Sequence, residues 1–294
     1  MKPYSLTLYS FRKPDSPDGI FSSVQMMGYG LWTEFAKLPH VTLEYRDVYT
    51  DKRPVPQADF ALIHGCFDEP IYSRLDELRV QTRHKIAGFM EIAFPSPLID
   101  RAFTYLPHSE LQKVEQIQLP ILMSILKASN SPAKYVGSIL LDHGWIENGR
   151  RTDWADRMYE WIDELRDKTV AQLRRSRGCE EPPAWVESIP EMSYPQYLAR
   201  TATFETFVVT HPGSYEHSIL DMAARGIRVL VPRHDGRPFC NPSIVSDLKL
   251  STFSNRNEFV ALLENLPQPS PVDQFTDIEN AVGRIDAYFQ ENLP

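Results

Sequence analysis

Between Phe204 and Pro232 the chain reads FETFVVTHPGSYEHSILDMAARGIRVLVP, two apolar runs parted by polar residues. Thr210-His211-Pro212-Gly213-Ser214 is a small polar turn; Tyr215 and Glu216 follow it, and Asp221 lies deeper in the next segment. A helix opening on such a turn presents unpaired N–H groups and the positive end of its dipole, which suits a phosphate. Ser214 can cap that helix, His211 can donate to a phosphate oxygen or cap the turn, and Glu216 complements the dipole. Other chemically able residues stand at the ends of apolar runs. His64 follows ADFALI, Glu91 follows KIAGFM, Asp18 lies in the loop after SLTLY, and Asp142-His143-Gly144 follows SILL. A carboxylate or imidazole at such an edge can take a proton from a hydroxyl. Arg174, Arg175 and Arg177 follow the run ending at Leu173, where they either neutralise phosphates or form a solvated basic surface.

These positions need elements to hold them. Phe207-Val208-Val209 is a short β-branched and aromatic run, as in a strand buried on both faces. Ile219, Met222, Ala223 and Gly226 share one helical face, Gly226 ends the helix, and Val229-Leu230-Val231 begins another strand. The segment is therefore a βαβ unit. Similar pieces precede it: strands at Ser5–Tyr9, His40–Val48, Ala58–Ile63 and Lys85–Met90, and helices over Ile20–Leu38 (with glycines at 28 and 30) and residues 70–82. Leu111–Lys127 reads as partly helical, interrupted by Pro120, and Ala128-Ser129-Asn130-Ser131-Pro132 reads as a linker. The pattern restarts with a strand at Tyr135–Leu141 and a helix capped by Thr152 with a stripe through Trp154, Met158, Trp161, Ile162 and Leu165. A strand at Lys168–Leu173 and a helix at Tyr194–Ala199 lead to the central unit, and Phe275, Ile278, Val282, Ile285 and Phe289 step by three and four as a closing amphipathic helix. Strands alternating with helices define an α/β protein with parallel, doubly wound sheets.

Composition narrows the field. A chain of 294 residues accommodates two domains, and 42% hydrophobic with 24% charged residues is globular usage. There is no apolar run long enough to span a bilayer, and MKPYSLTLYSFRKPDSP has no apolar signal region, so a cytoplasmic location is expected. Cys66, Cys179 and Cys240 are widely spaced, which indicates neither a zinc site nor a disulfide framework. The net charge of −8 tells against a nucleic-acid partner unless Arg12, Lys13, Lys52 and Arg53 form a local basic face.

The central unit resembles the donor-nucleotide signature of GT-B glycosyltransferases. Leu220-Asp221-Met222-Ala223-Ala224-Arg225-Gly226 is similar to that family's Leu-Glu-Ala-Met-Ala-x-Gly, and the order of pieces over 135–265 resembles its C-terminal half. The resemblance implies two Rossmann-like domains facing a central cleft: 1–130 on the acceptor side, 131–270 holding the nucleotide sugar, and 271–294 as a helix crossing back. It implies transfer of a sugar from a nucleotide-diphosphate donor, UDP favoured, to an acceptor hydroxyl, with the donor as co-substrate and no cofactor. Asp221 takes the place of the acid that binds the donor ribose. Arg174, Arg175, His211, Gly213, Ser214, Tyr215 and Glu216 surround the donor, and Asp142, His143 and Gly144 line the cleft. The base is Asp18, His64 or Glu91; His64 resembles the histidine that ends an Asp-x-x-x-x-His strand in many members, here from Asp59. Retaining members carry a further Glu where this chain has Gly213, which favours inversion. The sequence has no Asp-x-Asp pair, against a metal-dependent GT-A enzyme. The acceptor is a glycan, a small metabolite or a modified DNA base. A nucleotide-sugar epimerase or hydrolase on the same fold, or a non-catalytic nucleotide-sugar-binding module, fits the same signature.

Overall fold

A computed structural model describes residues 1–10, 23–48, 50–64, 73–89, 98–104, 114–116, 119–121, 137–142, 146–147, 150–151, 153–163, 169–173, 181–210, 216–240, 242–265 and 275–294. The chain forms two compact units, Met1–Met123 with Phe275–Pro294, and Ser124–Gln274.

The first unit is built on β1 (Tyr4–Ser10), α1 (Ser23–Ala36), β2 (Val41–Asp47), β3 (Ala58–His64), α2 (Leu75–Gln81), β4 (Thr82–Phe89), β5 (Arg101–Thr104) and β6 (Val114–Gln116). The six strands form one parallel sheet in the order β2-β1-β3-β4-β5-β6. Both β1 and β3 are buried along nearly their whole length, because helices on both faces of a parallel sheet leave neither face to water. Phe35, Phe60, Phe89 and Phe103 lie in this core.

The partly helical expectation for Leu111–Lys127 is corrected for the described residues there. Val114–Gln116 is β6, and Leu119–Ile121 is a further short strand, β7. Pro120 removes a donor and a helical conformation at once, yet fits a strand with only one partner.

The second unit contains β8 (Ile139–Leu141), the hairpin β9 (Ile146–Glu147) and β10 (Arg150–Arg151), α3 (Asp153–Asp163), β11 (Val170–Leu173), β12 (Glu187–Ile189), α4 (Tyr194–Thr201) and β13 (Thr206–Val208). It continues with α5 (Glu216–Ala224), β14 (Arg228–His234), β15 (Arg237–Pro238), α6 (Pro242–Asp247), β16 (Ser251–Phe253) and α7 (Arg256–Glu264). Its parallel strands run β12-β11-β8-β13-β14-β16, with β15 folded back antiparallel on β14. Strand β12 falls on a stretch whose pattern gave no strand signal: it is three residues long and sits at the sheet edge. Helix α5 closes as the sequence predicts. Gly226 takes φ +68°, its N–H reaches Ala223 O at 3.0 Å, and Ile227 N–H reaches Met222 O at 3.0 Å, so the last carbonyls are capped.

The chain ends with β17 (Phe275–Asp277), paired with β7, and α8 (Ile278–Glu291). Phe275 thus belongs to a strand rather than to the helical stripe. Helix α8 buries Ile278, Val282, Ile285 and Phe289 in the first unit, and the Phe289 ring stacks on Phe60 with centroids 4.5 Å apart. Asp286 is buried on the same face, where its Oδ1 accepts from the Tyr4 hydroxyl at 2.6 Å and lies 3.0 Å from His40 Nε2. Among the described residues no helix is long and apolar enough to cross a membrane.

Candidate functional site

In the first unit the chain leaves β1 for β2 on one side and then crosses to β3 on the other. The carboxyl ends of β1 and β3 therefore flank the point where strand order reverses, the place where open α/β sheets bind ligands. Ser10 ends β1 and His64 ends β3, and both are buried. Ser10 Oγ lies 2.7 Å from His64 Nδ1. The Tyr45 hydroxyl from β2 also bonds to Ser10; burial pushes the Tyr45 phenol up to about 12, and the serine contact partly offsets that. The His64 ring leans on Phe89, centroids 5.7 Å apart.

Helix α1 lies close over this pair. A Cβ on Gly28 would come within 2.2 Å of Ser10 Oγ and 3.4 Å of His64 Nδ1. Glycine at 28 is therefore required by the close approach of helix to strand end.

The second unit repeats the arrangement. Its order reverses between β8 and β13, and Asp142 directly follows β8. Asp142 is 1% exposed; its N–H donates to Val208 O at 2.9 Å and its carbonyl accepts from Gln172 Nε2 at 3.3 Å. The Tyr159 hydroxyl donates in turn to Gln172 Oε1, so the strand exit is held from two sides.

Asp221, on α5, is no surface acid: it is 3% exposed. The Tyr194 hydroxyl donates to its Oδ1 at 2.7 Å, tying α4 to α5. Arg225, one turn later, donates through Nε to Asp221 O at 3.0 Å, through Nη1 to Leu198 O at 2.6 Å and through Nη2 to Thr201 Oγ1 at 2.7 Å. Burial raises the Tyr194 and Tyr197 phenols well above the usual value, and the negative charge of Asp221 raises both further. The charge of Asp142 adds to the rise at Tyr197.

The remaining sequence candidates, Asp18, Glu91, Arg174, Arg175, Arg177, His211, Gly213, Ser214, Tyr215, His143 and Gly144, lie outside the described residues. Glu216 is the first residue of α5. Sequence inspection passed over Ser10, Tyr45, Tyr194 and Arg225. Ser10 carried a usable signal: like His64, it is a polar residue ending an apolar strand, and a doubly wound order sets those two strands side by side. Tyr194 and Arg225 carried none, since only packing brings α4 against α5.

No family model matches the chain, and no curated protein matches it in sequence. Solved structures do match in fold. UDP-GlcNAc 2-epimerase from Methanocaldococcus jannaschii, solved with UDP-GlcNAc and UDP, superposes with a TM-score of 0.62 at 10% identity over 97% of this chain and 99% of that one. The glycotransferase of kitacinnamycin gives 0.60 at 10% identity, covering 100% of each chain. The glycosyltransferase SnogD from Streptomyces nogalater gives 0.53 at 13% identity, over 100% of this chain and 97% of that one. The chain has the GT-B fold, two Rossmann-like units, which glycosyltransferases and UDP-GlcNAc 2-epimerases share.

Proposed function

We propose that the protein is a glycosyltransferase that moves a sugar from a UDP-sugar to an acceptor hydroxyl without a metal ion, with inversion at the anomeric carbon. The observation that carries this reading is the Ser10–His64 pair at the reversal point of the first sheet, with buried Asp142 at the corresponding point of the second. When His64 donates from Nδ1 to Ser10 Oγ, and Ser10 donates onward to Tyr45, Nε2 is the ring nitrogen that carries the lone pair and can act as a base. Nε2 takes the proton of the acceptor hydroxyl as its oxygen bonds to the anomeric carbon. The bond from that carbon to the diphosphate oxygen breaks, and its electron pair leaves with UDP. Asp18 and Glu91 are the alternative bases.

On the donor side, Asp221 accepts the ribose hydroxyls, with Tyr194 orienting its carboxylate. The amino end of α5, with Glu216 and the sequence neighbours His211, Gly213, Ser214 and Tyr215 that precede it, receives the diphosphate, and Arg174 and Arg175 neutralise its charge. Asp142, His143 and Gly144 border the sugar. Both neighbouring activities named above use a nucleotide-linked sugar or transfer one, which supports the donor class. The acceptor is a glycan, a small metabolite or a modified DNA base, and the place of work is the cytoplasm.

The epimerase reading has its own support: UDP-GlcNAc 2-epimerases recur among the structural neighbours, one of them from Methanocaldococcus jannaschii. Incubation with UDP-sugars, with and without acceptors, separates the two. UDP appearing only with an acceptor marks a transferase. UDP or a C2 epimer appearing without one marks a hydrolase or epimerase, and binding without turnover marks a module.

A further inference from the structure

The two faces of the first sheet carry different chemistry. Ser10 and Tyr45 face α1, whereas Tyr9 and Arg46, neighbours in register on β1 and β2, face the side covered by α2. On that second side the strand ends, the segment 51–56 and the residues leading into α2, Ser73 and Arg74, border an open cavity of about 350 Å³, a size suited to a small organic molecule. Four cations line it, Arg46, Lys52, Arg53 and Arg74, against two carboxylates, Asp47 and Asp51.

The carboxylates are committed to the wall. Asp51 accepts from Arg46 Nη1 at 3.2 Å and from Arg53 Nε at 2.9 Å, which holds it well below the usual range, and Asp47 Oδ1 accepts from Thr50 N–H at 2.9 Å. Arg46 and Arg74 have further partners in Glu44 and Glu77, but these acids stand outside the cavity with side chains 44% and 43% exposed, where water screens them. What the wall leaves over is donors. Arg46 is 8% exposed, yet its Nε–H has no hydrogen-bond partner, and neither has the buried hydroxyl of Tyr9. Burial raises the Tyr9 phenol well above its usual value despite the nearby Arg46 and Arg74, so the hydroxyl keeps its proton. A buried polar group normally finds a partner, and a guanidinium Nε–H can only donate. Lys52 adds an exposed ammonium at the rim.

We propose that this cavity binds the phosphate or carboxylate group of a small organic anion, with Tyr9 and Arg46 as the buried donors and Lys52 as the rim charge. The cavity lies on the opposite face of the first sheet from the Ser10–His64 pair, and the proposal does not depend on the function proposed above.

The test is calorimetric titration of the full chain with phenyl phosphate and with benzoate at constant ionic strength in chloride, glucose serving as neutral solute. Saturable binding of one or both anions and none of glucose is expected, the tighter anion assigning phosphate or carboxylate. Tyr9→Phe/Lys52→Ala should weaken that binding at least fivefold while leaving UDP binding unchanged. Should the double variant fail to fold, Lys52→Glu, a change at an exposed position, must produce the same loss. Absence of saturable binding by either anion, a loss smaller than fivefold, glucose competing with the anion, or an equal loss of UDP binding would each overturn the proposal.

Discussion

Ser10 Oγ and His64 Nδ1, 54 residues apart in sequence, stand 2.7 Å apart at the ends of adjacent parallel strands. The contact holds the imidazole ring through Nδ1, and where that nitrogen donates, the lone pair is on Nε2.

If His64 is the base, His64→Gln lowers kcat by about 10²–10⁴-fold with little change in UDP binding. Ser10→Ala has the smaller effect, because it removes only the partner that sets the tautomer. It should lower kcat and shift the acid limb of the pH–rate profile. An unchanged profile in Ser10→Ala would show that the serine merely packs.

Gly28→Ala should destabilise the protein, although alanine is the better helix former by about 1 kcal/mol. The added Cβ meets Ser10 Oγ at 2.2 Å, and crowding of this kind in a packed core costs about 1–3 kcal/mol. In a Ser10→Ala background the nearest remaining atom is the residue-10 Cβ at 3.3 Å, so the penalty should shrink. Denaturant melts of the four proteins in the cycle measure this coupling.

Tyr194→Phe leaves the buried Asp221 carboxylate without the donor that reaches Oδ1 and should cost about 1–3 kcal/mol of stability. If Asp221 holds the ribose, the same variant weakens UDP binding, and Asp221→Asn weakens it more. Thermal melts with and without UDP separate the structural cost from the loss of ligand.

Asp286→Ala should loosen the terminal helix by about 1–3 kcal/mol, since it strands the Tyr4 hydroxyl and His40 Nε2 in a buried place. Phe289, stacked on Phe60, lies one turn further along and should become more accessible to hydrogen exchange in the backbone around it.

Stability should fall in alkali. Tyr4, Tyr9, Tyr45, Tyr194, Tyr197 and Tyr288 all have raised phenol values, chiefly through burial. A group whose folded value is raised contributes in full below its unfolded value near 10, and its contribution is lost as pH climbs from there through the folded value. Above pH 10 each still-protonated tyrosine should lower the unfolding free energy by about 1.4 kcal/mol per pH unit. Urea midpoints at pH 8 and at pH 11 test the sign.

Much of the architecture was legible because it rests on local rules. Apolar β-branched runs such as Phe207-Val208-Val209, the glycine at 226 and the stripe from Ile278 to Phe289 each betray an element through short-range sterics or helical spacing. Within 111–127 the described residues, 114–116 and 119–121, form strands rather than helix; their apolar residues satisfy either period, and β6 and β7 exist only through the strands they pair with. The sequence by itself determined the α/β class, the βαβ unit around residue 221 and the polar residues that end its strands. Tertiary structure alone decided which of those residues meet. Strand order joined Ser10 to His64, packing of α4 on α5 turned Asp221 from an apparent helix acid into a buried, clasped one, and the second face of the first sheet became a cavity with unpaired donors. Such contacts join residues 27 to 282 positions apart, as in Tyr194–Asp221 and Tyr4–Asp286, and spacing along a chain carries no record of them.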